Sequence, residues 1–302
     1  MKKILYLIIM LILSLSFLSC GDVKLESEVK VLTPYGTPYL ALGGLLNEEN
    51  VKIDAINGAD GIKTELVKNE YDLIVAPINL AAQLYNKGNS KYIIEAIITM
   101  NNAYIVTSSD NKLDSIMDLK DQNVVAFGVS GIPGNILKTL YNNNGLDQSL
   151  IDFSLASSTA VYAAYAKDTL SAKYVLMSEP EISKLVINDN KNIKTLDLTK
   201  ELGIDVPQAC ILVNPNSDKL EDINKLLDKI EDNIKYLNKN PNKYADEIIP
   251  LDRTFETMGK KVIEKSIPLT NIVYKKAKDY KSEIENILTI LKVDNPNEEF
   301  YR

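Results

Sequence analysis

The middle of this chain has a rhythm that few fold classes can satisfy. Between residues 29 and 213, short unbroken apolar runs alternate with stretches of helical periodicity. The runs at 29–33, 51–56, 72–76, 93–98 and 103–108 are rich in β-branched residues and lack apolar–polar alternation. Those at 123–127, 151–155, 174–177, 193–196 and 209–213 read the same way. A strand without a polar face is covered on both sides. Helical stretches separate them, at 38–47, 62–68, 80–87, 133–143 and 160–168. The alternation predicts an α/β fold with mostly parallel sheets flanked by helices.

The character changes after Asn214-Pro215. Apolar residues at 220, 223, 226, 227, 230, 234 and 237 share one helical face, with Ser217 as a candidate N-cap and Pro241 as the stop. The tail then reads as helix to about residue 292, with no strand signal. A chain of 302 residues suits two domains, yet no long linker divides it. The division must therefore fall inside the strand pattern, and 103–108 and 209–213 are the candidate crossings. A lobe of residues 105–212 is expected to be inserted into an outer lobe of 29–104 plus 213–302.

Composition removes several chemistries. There is no histidine, which excludes His-based triads and His-ligated metal sites. Two cysteines cannot build a four-cysteine zinc or iron–sulfur site, and no cofactor is expected. The net charge is −7 with no basic run in the body, so phosphate neutralisation is poorly served and nucleic acid is not an expected partner.

Residues 1–19 carry an address. Met1-Lys2-Lys3 precedes an almost wholly apolar run and then small residues before Cys20, the layout of a secretory signal. The apolar stretch from 4 to 18 is short for spanning a bilayer. Cys20 at its end resembles the lipobox of bacterial lipoproteins, with Ser19 in keeping and Phe17 and Leu18 departing from the usual pattern. The resemblance implies acylation of Cys20, a tether over 20–28 and a membrane anchor made by lipid. Cys210 is then without a disulfide partner and reads as a small buried hydrophobe.

Several stretches resemble type II periplasmic solute-binding proteins, in the branch of thiamine-precursor, sulfonate and nitrate binders. They are Leu32-Thr-Pro-Tyr-Gly-Thr-Pro38, Tyr71-Asp-Leu-Ile-Val-Ala-Pro-Ile-Asn-Leu-Ala-Ala82 and Leu84-Tyr-Asn-Lys-Gly88. Ile116-Met-Asp-Leu-Lys120, followed by Val124-Val-Ala-Phe-Gly128, resembles the opening of that family's second lobe, and Glu179-Pro180 and the closing Asn295-Pro-Asn-Glu-Glu-Phe-Tyr301 are also similar. The resemblance covers nearly the whole chain after the signal. It implies two α/β lobes joined by two crossing strands, a monomer that traps a small molecule between them, and delivery to an ABC permease and ATPase.

In open α/β sheets, ligands sit beyond the carboxyl ends of strands. Thr33-Pro-Tyr-Gly-Thr37 follows the first strand: Tyr35 offers a flat face and a hydroxyl, Gly36 close backbone approach, and Thr37 a helix cap. Gly128-Val-Ser-Gly-Ile-Pro-Gly134 is the matching loop of the second lobe, bringing Ser130, Gly131, Ile132 and Gly134 to the expected site beside a helix N-terminus. It is not a P-loop, since no Gly-Lys-Ser/Thr follows. Asn79 after the third strand and Glu179 before Pro180 complete the candidate contacts, each with a local reading as a cap or first-turn charge. The only arginines are Arg253 and Arg302, and the candidate loops hold no lysine, which favours a neutral or weakly charged, heteroaromatic solute.

The leading expectation is therefore a lipid-anchored solute-binding protein and not an enzyme. A ligand-sensing surface lipoprotein without a transporter and a lyase built on the same fold are the alternatives. No carboxylate spacing singles out an acid–base pair for the latter.

Overall fold

The structure is a computed structural model that describes residues 24–302. The expected signal segment 1–19 and Cys20 lie outside the described residues. Of the expected tether, residues 24–28 are described and dock on the body. Leu25 is buried, and the Glu26 and Ser27 backbone N–H groups each donate to the Asp222 carboxylate at 2.9 Å.

Eleven strands among the described residues form two sheets. In chain order they are β1 (Val29–Pro34), β2 (Val51–Ile56), β3 (Leu73–Pro77), β4 (Ile93–Met100), β5 (Tyr104–Ser108), β6 (Val124–Val125), β7 (Ile151–Asp152), β8 (Tyr174–Met177), β9 (Ile193–Asp197), β10 (Pro207–Val213) and β11 (Ile272–Lys276). The first sheet has the order β11-β4-β10-β3-β1-β2 and the second β7-β6-β8-β5-β9. Helices pack on both sheets, so the two-sheet α/β architecture expected from the alternation is the one observed.

The sheets are mixed rather than mostly parallel. β1 runs parallel to β2 and β3, and β6 to β7 and β8. β10 is antiparallel to β3 and β4, β11 to β4, and β5 to β8 and β9. The path of the chain explains β10 and β5. The chain leaves the first sheet at the carboxyl end of β4 and comes back to it through β10, which starts from that same end and must run against β3 and β4. β5 meets the second sheet in the same way. Apolar runs report burial, not direction, so the sequence pattern could not show this.

Two further differences concern the carboxyl-terminal part. β10 belongs to the first sheet, whereas the sequence pattern predicts an inserted lobe that extends to residue 212. The chain passes between the sheets through residues 101–103 and again through 198–206. The tail also carries a strand, β11, as an edge of the first sheet. Its signal is only Ile272-Val273-Tyr274 before two lysines, too short to stand out from the helical periodicity around it.

The amphipathic helix Leu220–Lys239 forms as expected and buries Ile223, Leu226, Leu227, Ile230, Ile234 and Leu237 in a core shared with Val31, Val75 and Ile211 of the first sheet. Ser217 does not cap it. Its hydroxyl instead donates to Asp72 at 2.7 Å and accepts from the Lys219 N–H at 3.2 Å. Cys210 is fully buried and unpaired, as expected for a small apolar residue, and burial pushes its thiol pKa up. Among the described residues, no helix is long and apolar enough to cross a membrane.

Candidate functional site

A cleft of about 290 Å³ opens between the two sheets, lined by Pro34, Tyr35, Gly36 and Thr37 from one side and by Phe127, Gly128, Gly131, Ile132, Thr159 and Glu179 from the other. Most of these residues stand just past the carboxyl ends of β1, β6 and β8, where strands hand the chain to helices.

On the first wall, the Tyr35 N–H donates to the Ile56 carbonyl at 3.0 Å, which fixes the turn after β1. The Tyr35 side chain is 42% exposed and meets Tyr39 edge-on at 5.4 Å, while buried Tyr39 stacks on Phe255 at 5.0 Å. An aromatic column thus leads from the core to the cleft, with one ring left partly bare. Gly36 has φ +98°, a left-handed value that an L side chain rarely adopts. This turn opens the helix Thr37–Leu42, but Thr37 does not cap it. Its hydroxyl reaches across the cleft and donates to the Glu179 carbonyl at 2.9 Å.

Asn102, in the first crossing segment, completes that junction. Its Nδ2 donates to Thr37 Oγ1 and to the Glu179 carbonyl, each at 3.1 Å, and its Oδ1 accepts from the Glu179 N–H at 2.8 Å. Asn79 makes a second bridge, Nδ2 donating to the Ser130 carbonyl at 2.9 Å. Asn79 and Ser130 do not line the cleft. They join its walls from behind.

The second wall is the loop before the helix Ile132–Asn143. Gly128 has φ +70°, and the Gly131 N–H donates to the Gly128 carbonyl at 2.8 Å. Gly131 itself is extended, with φ −85°, and a Cβ there would lie 3.4 Å from Gly128 O, an ordinary distance. A Cβ on Gly134 would lie 2.2 Å from that oxygen. Gly134 is thus a packing glycine that lets the helix close on the loop, and it does not line the cleft. Ile132 lines it while remaining buried.

Glu179 is 4% exposed, and its Oε2 accepts the Ser183 N–H at 3.0 Å at the start of the helix Glu181–Ile187. Burial raises its carboxyl pKa from an ordinary 4.5 to about 7 against the Ser183 hydrogen bonding, with Glu181 adding repulsion and Lys265 opposing it. Neighbouring Glu181 accepts from the Thr159 hydroxyl at 2.9 Å and pairs with Lys184.

Of the expected contacts, Tyr35, Gly36, Thr37, Gly131, Ile132 and Glu179 meet at one cleft, and Asn79, Ser130 and Gly134 support it. Ile62, Thr99, Phe127, Thr159 and Gln208 also line it, beyond the contacts the sequence predicts. The strand-end rule would have found Thr99 and Phe127. Gln208 lies at the start of a strand, where the rule does not look. Among the described residues, no lysine or arginine lines the cleft and no acidic or cysteine cluster suited to a metal is present.

No protein-family model matches the chain, and no curated protein does either. Solved structures do. An ABC transporter protein from Parabacteroides distasonis superposes with a TM-score of 0.75 at 18% identity, over 92% of this chain and 99% of that one. The zinc-bound ligand-binding component of an ABC-type import system from Staphylococcus aureus gives 0.71 at 14% identity, over 92% and 97%. The alkanesulfonate-binding protein SsuA from Xanthomonas axonopodis pv. citri, bound to MOPS, gives 0.66 at 13% identity, over 91% and 96%. The chain has the two-lobed fold of periplasmic binding proteins.

Proposed function

We propose that this protein is an extracytoplasmic solute-binding component of an ABC importer, which captures one small molecule between two lobes and passes it to a permease. The observation that carries this reading is the cleft itself. Loops from two separate sheets line one cavity, in a fold also seen in ligand-binding components of importers. The sheets suggest lobes of 29–103 with 207–302, and of 104–206.

The same reading includes the amino-terminal signal, lipid on Cys20 and a monomeric body held at a membrane. The cleft lining supports a neutral or weakly charged heteroaromatic solute. It offers the Tyr35 ring, the Phe127 ring and backbone groups, and among the described residues no side-chain cation to balance a sulfonate or phosphate. The Thr159 hydroxyl donates to Glu181 at the cleft, but that carboxylate is paired with Lys184, which favours capture over turnover.

Native mass spectrometry tests the proposal. The protein is incubated with the small-molecule fraction of a cell extract and sprayed intact. One retained solute per chain is expected, released on denaturation. A protein that retains none, from extracts of cells that express it, contradicts the reading.

A further inference from the structure

The polar groups along the cleft are mostly committed to one another. The Thr159 hydroxyl is spent on Glu181, Ser158 Oγ accepts the Ser178 N–H at 3.0 Å, and Asn102 and Thr37 hold Glu179. Gln208 differs. Its Nε2 is enclosed by the protein and has no hydrogen-bond partner among the described residues, and Gln208 lines the cleft.

The backbone places it there. β10 pairs Pro207 with Met100 of β4 and Ala209 with Thr99, so Gln208 is the extra residue of a bulge with no partner opposite. The Ala209 N–H turns to the Thr99 hydroxyl at 3.1 Å, and Thr99 and Ala209 line the same cleft. A bulge re-aims one side chain out of the ladder's alternation, at the cost of a ladder position. An enclosed amide N–H left unpaired is costly as well. Both costs fall on the residue that faces the cleft from the return crossing.

We propose that Gln208 is the specificity-determining residue of this cleft, its side-chain amide turning on solute binding so that the N–H donates to an acceptor on a flat, uncharged solute that packs against Tyr35. The inference rests on the solute-binding reading above and adds the residue that reads the solute's chemistry. An anionic acceptor would take the same hydrogen bond, but among the described residues no cation lines the cleft to offset the loss of its hydration.

The test uses matched flat pairs, the uncharged nicotinamide, benzamide and uracil against the anionic nicotinate, benzoate and orotate, titrated by ligand-observed NMR. At least one uncharged member should bind wild type, with its anion weaker by about tenfold or more. Gln208→Met should weaken that binding about threefold to tenfold, the share of one hydrogen bond. Gln208→Glu should weaken it further, since a carboxylate cannot donate. The Gln208→Met melting temperature should equal or exceed that of wild type. Tighter binding of the anions, undiminished binding by Gln208→Met, or no binding by any of the three uncharged probes would overturn the inference. So would a fall in the Gln208→Met melting temperature of more than about 4 °C, which would make the amide a structural bond. Retention of an extract solute in native mass spectrometry would meanwhile leave solute capture standing.

Discussion

The hydroxyl of Thr37 donates to the carbonyl of Glu179 at 2.9 Å, a bond between residues 142 positions apart that spans the cleft. Asn102, in the segment that passes between the sheets, holds both of its members. The junction therefore ties the two walls and a crossing segment into one buried knot, and its strength should govern how readily the walls part.

Thr37→Val keeps the shape of the side chain and removes the donor. The Glu179 carbonyl retains Asn102 Nδ2, so the loss in unfolding free energy should stay near 0.5–1.5 kcal/mol. Asn102→Ala strands the buried Glu179 N–H and should cost about 1–3 kcal/mol. Chemical denaturation of both variants checks the order, and an Asn102→Ala no less stable than Thr37→Val would show that the knot does not hold the walls.

Glu179 sets a pH dependence. Its folded pKa, near 7, lies above an unfolded value near 4.5, so between these the native state keeps a proton that the unfolded chain has lost. Stability should fall as pH rises through that window, by about 3 kcal/mol in all, and level off above it. Ser183, Glu181, Lys265 and Tyr104 surround the carboxyl and set the size of the effect. Glu179→Gln should flatten this part of the stability curve and be the more stable protein at pH 8. A slope that survives the substitution would assign it to another group.

The glycine loop separates packing from recognition. Gly134→Ala puts a methyl 2.2 Å from Gly128 O and should destabilise by about 1–3 kcal/mol. Gly131→Ala meets the same atom at 3.4 Å and should melt close to wild type. Thermal unfolding of the pair is the check, and equal melting temperatures would contradict this account of the loop.

Tyr35 is the recognition counterpart. Being 42% exposed, it contributes little to the core, so Tyr35→Ala should fold normally while weakening solute binding by about 1–3 kcal/mol. Calorimetry with the solute retained from extract measures this, and wild-type affinity would remove Tyr35 from the site.

Much of this was legible in the residues. Buried strands announced themselves as unbroken β-branched runs, and the loops at Tyr35 and Gly131 followed from the rule that sites lie past strand ends. Strand direction was not legible, because burial looks alike for β10 running either way. Asn79 and Thr37 read as local helix caps, yet each spends its side chain across the cleft on Ser130 or Glu179, and such partners exist only once the sheets have met. Gly131 and Gly134 look alike in sequence, and only the position of Gly128 O separates them. Gln208 carries no local signal, since its exposure to the cleft depends on a bulge set by the register of β4.

If two lobes close on a solute, small-angle X-ray scattering registers the closure as a change in size. The protein is stripped of solute, and the molecule recovered by native mass spectrometry is then added to saturation. The radius of gyration should fall, toward the value given by a structure in which Thr37 reaches Glu179 and Asn79 reaches Ser130. An unchanged radius at proven saturation would contradict the account and leave a rigid cleft in its place.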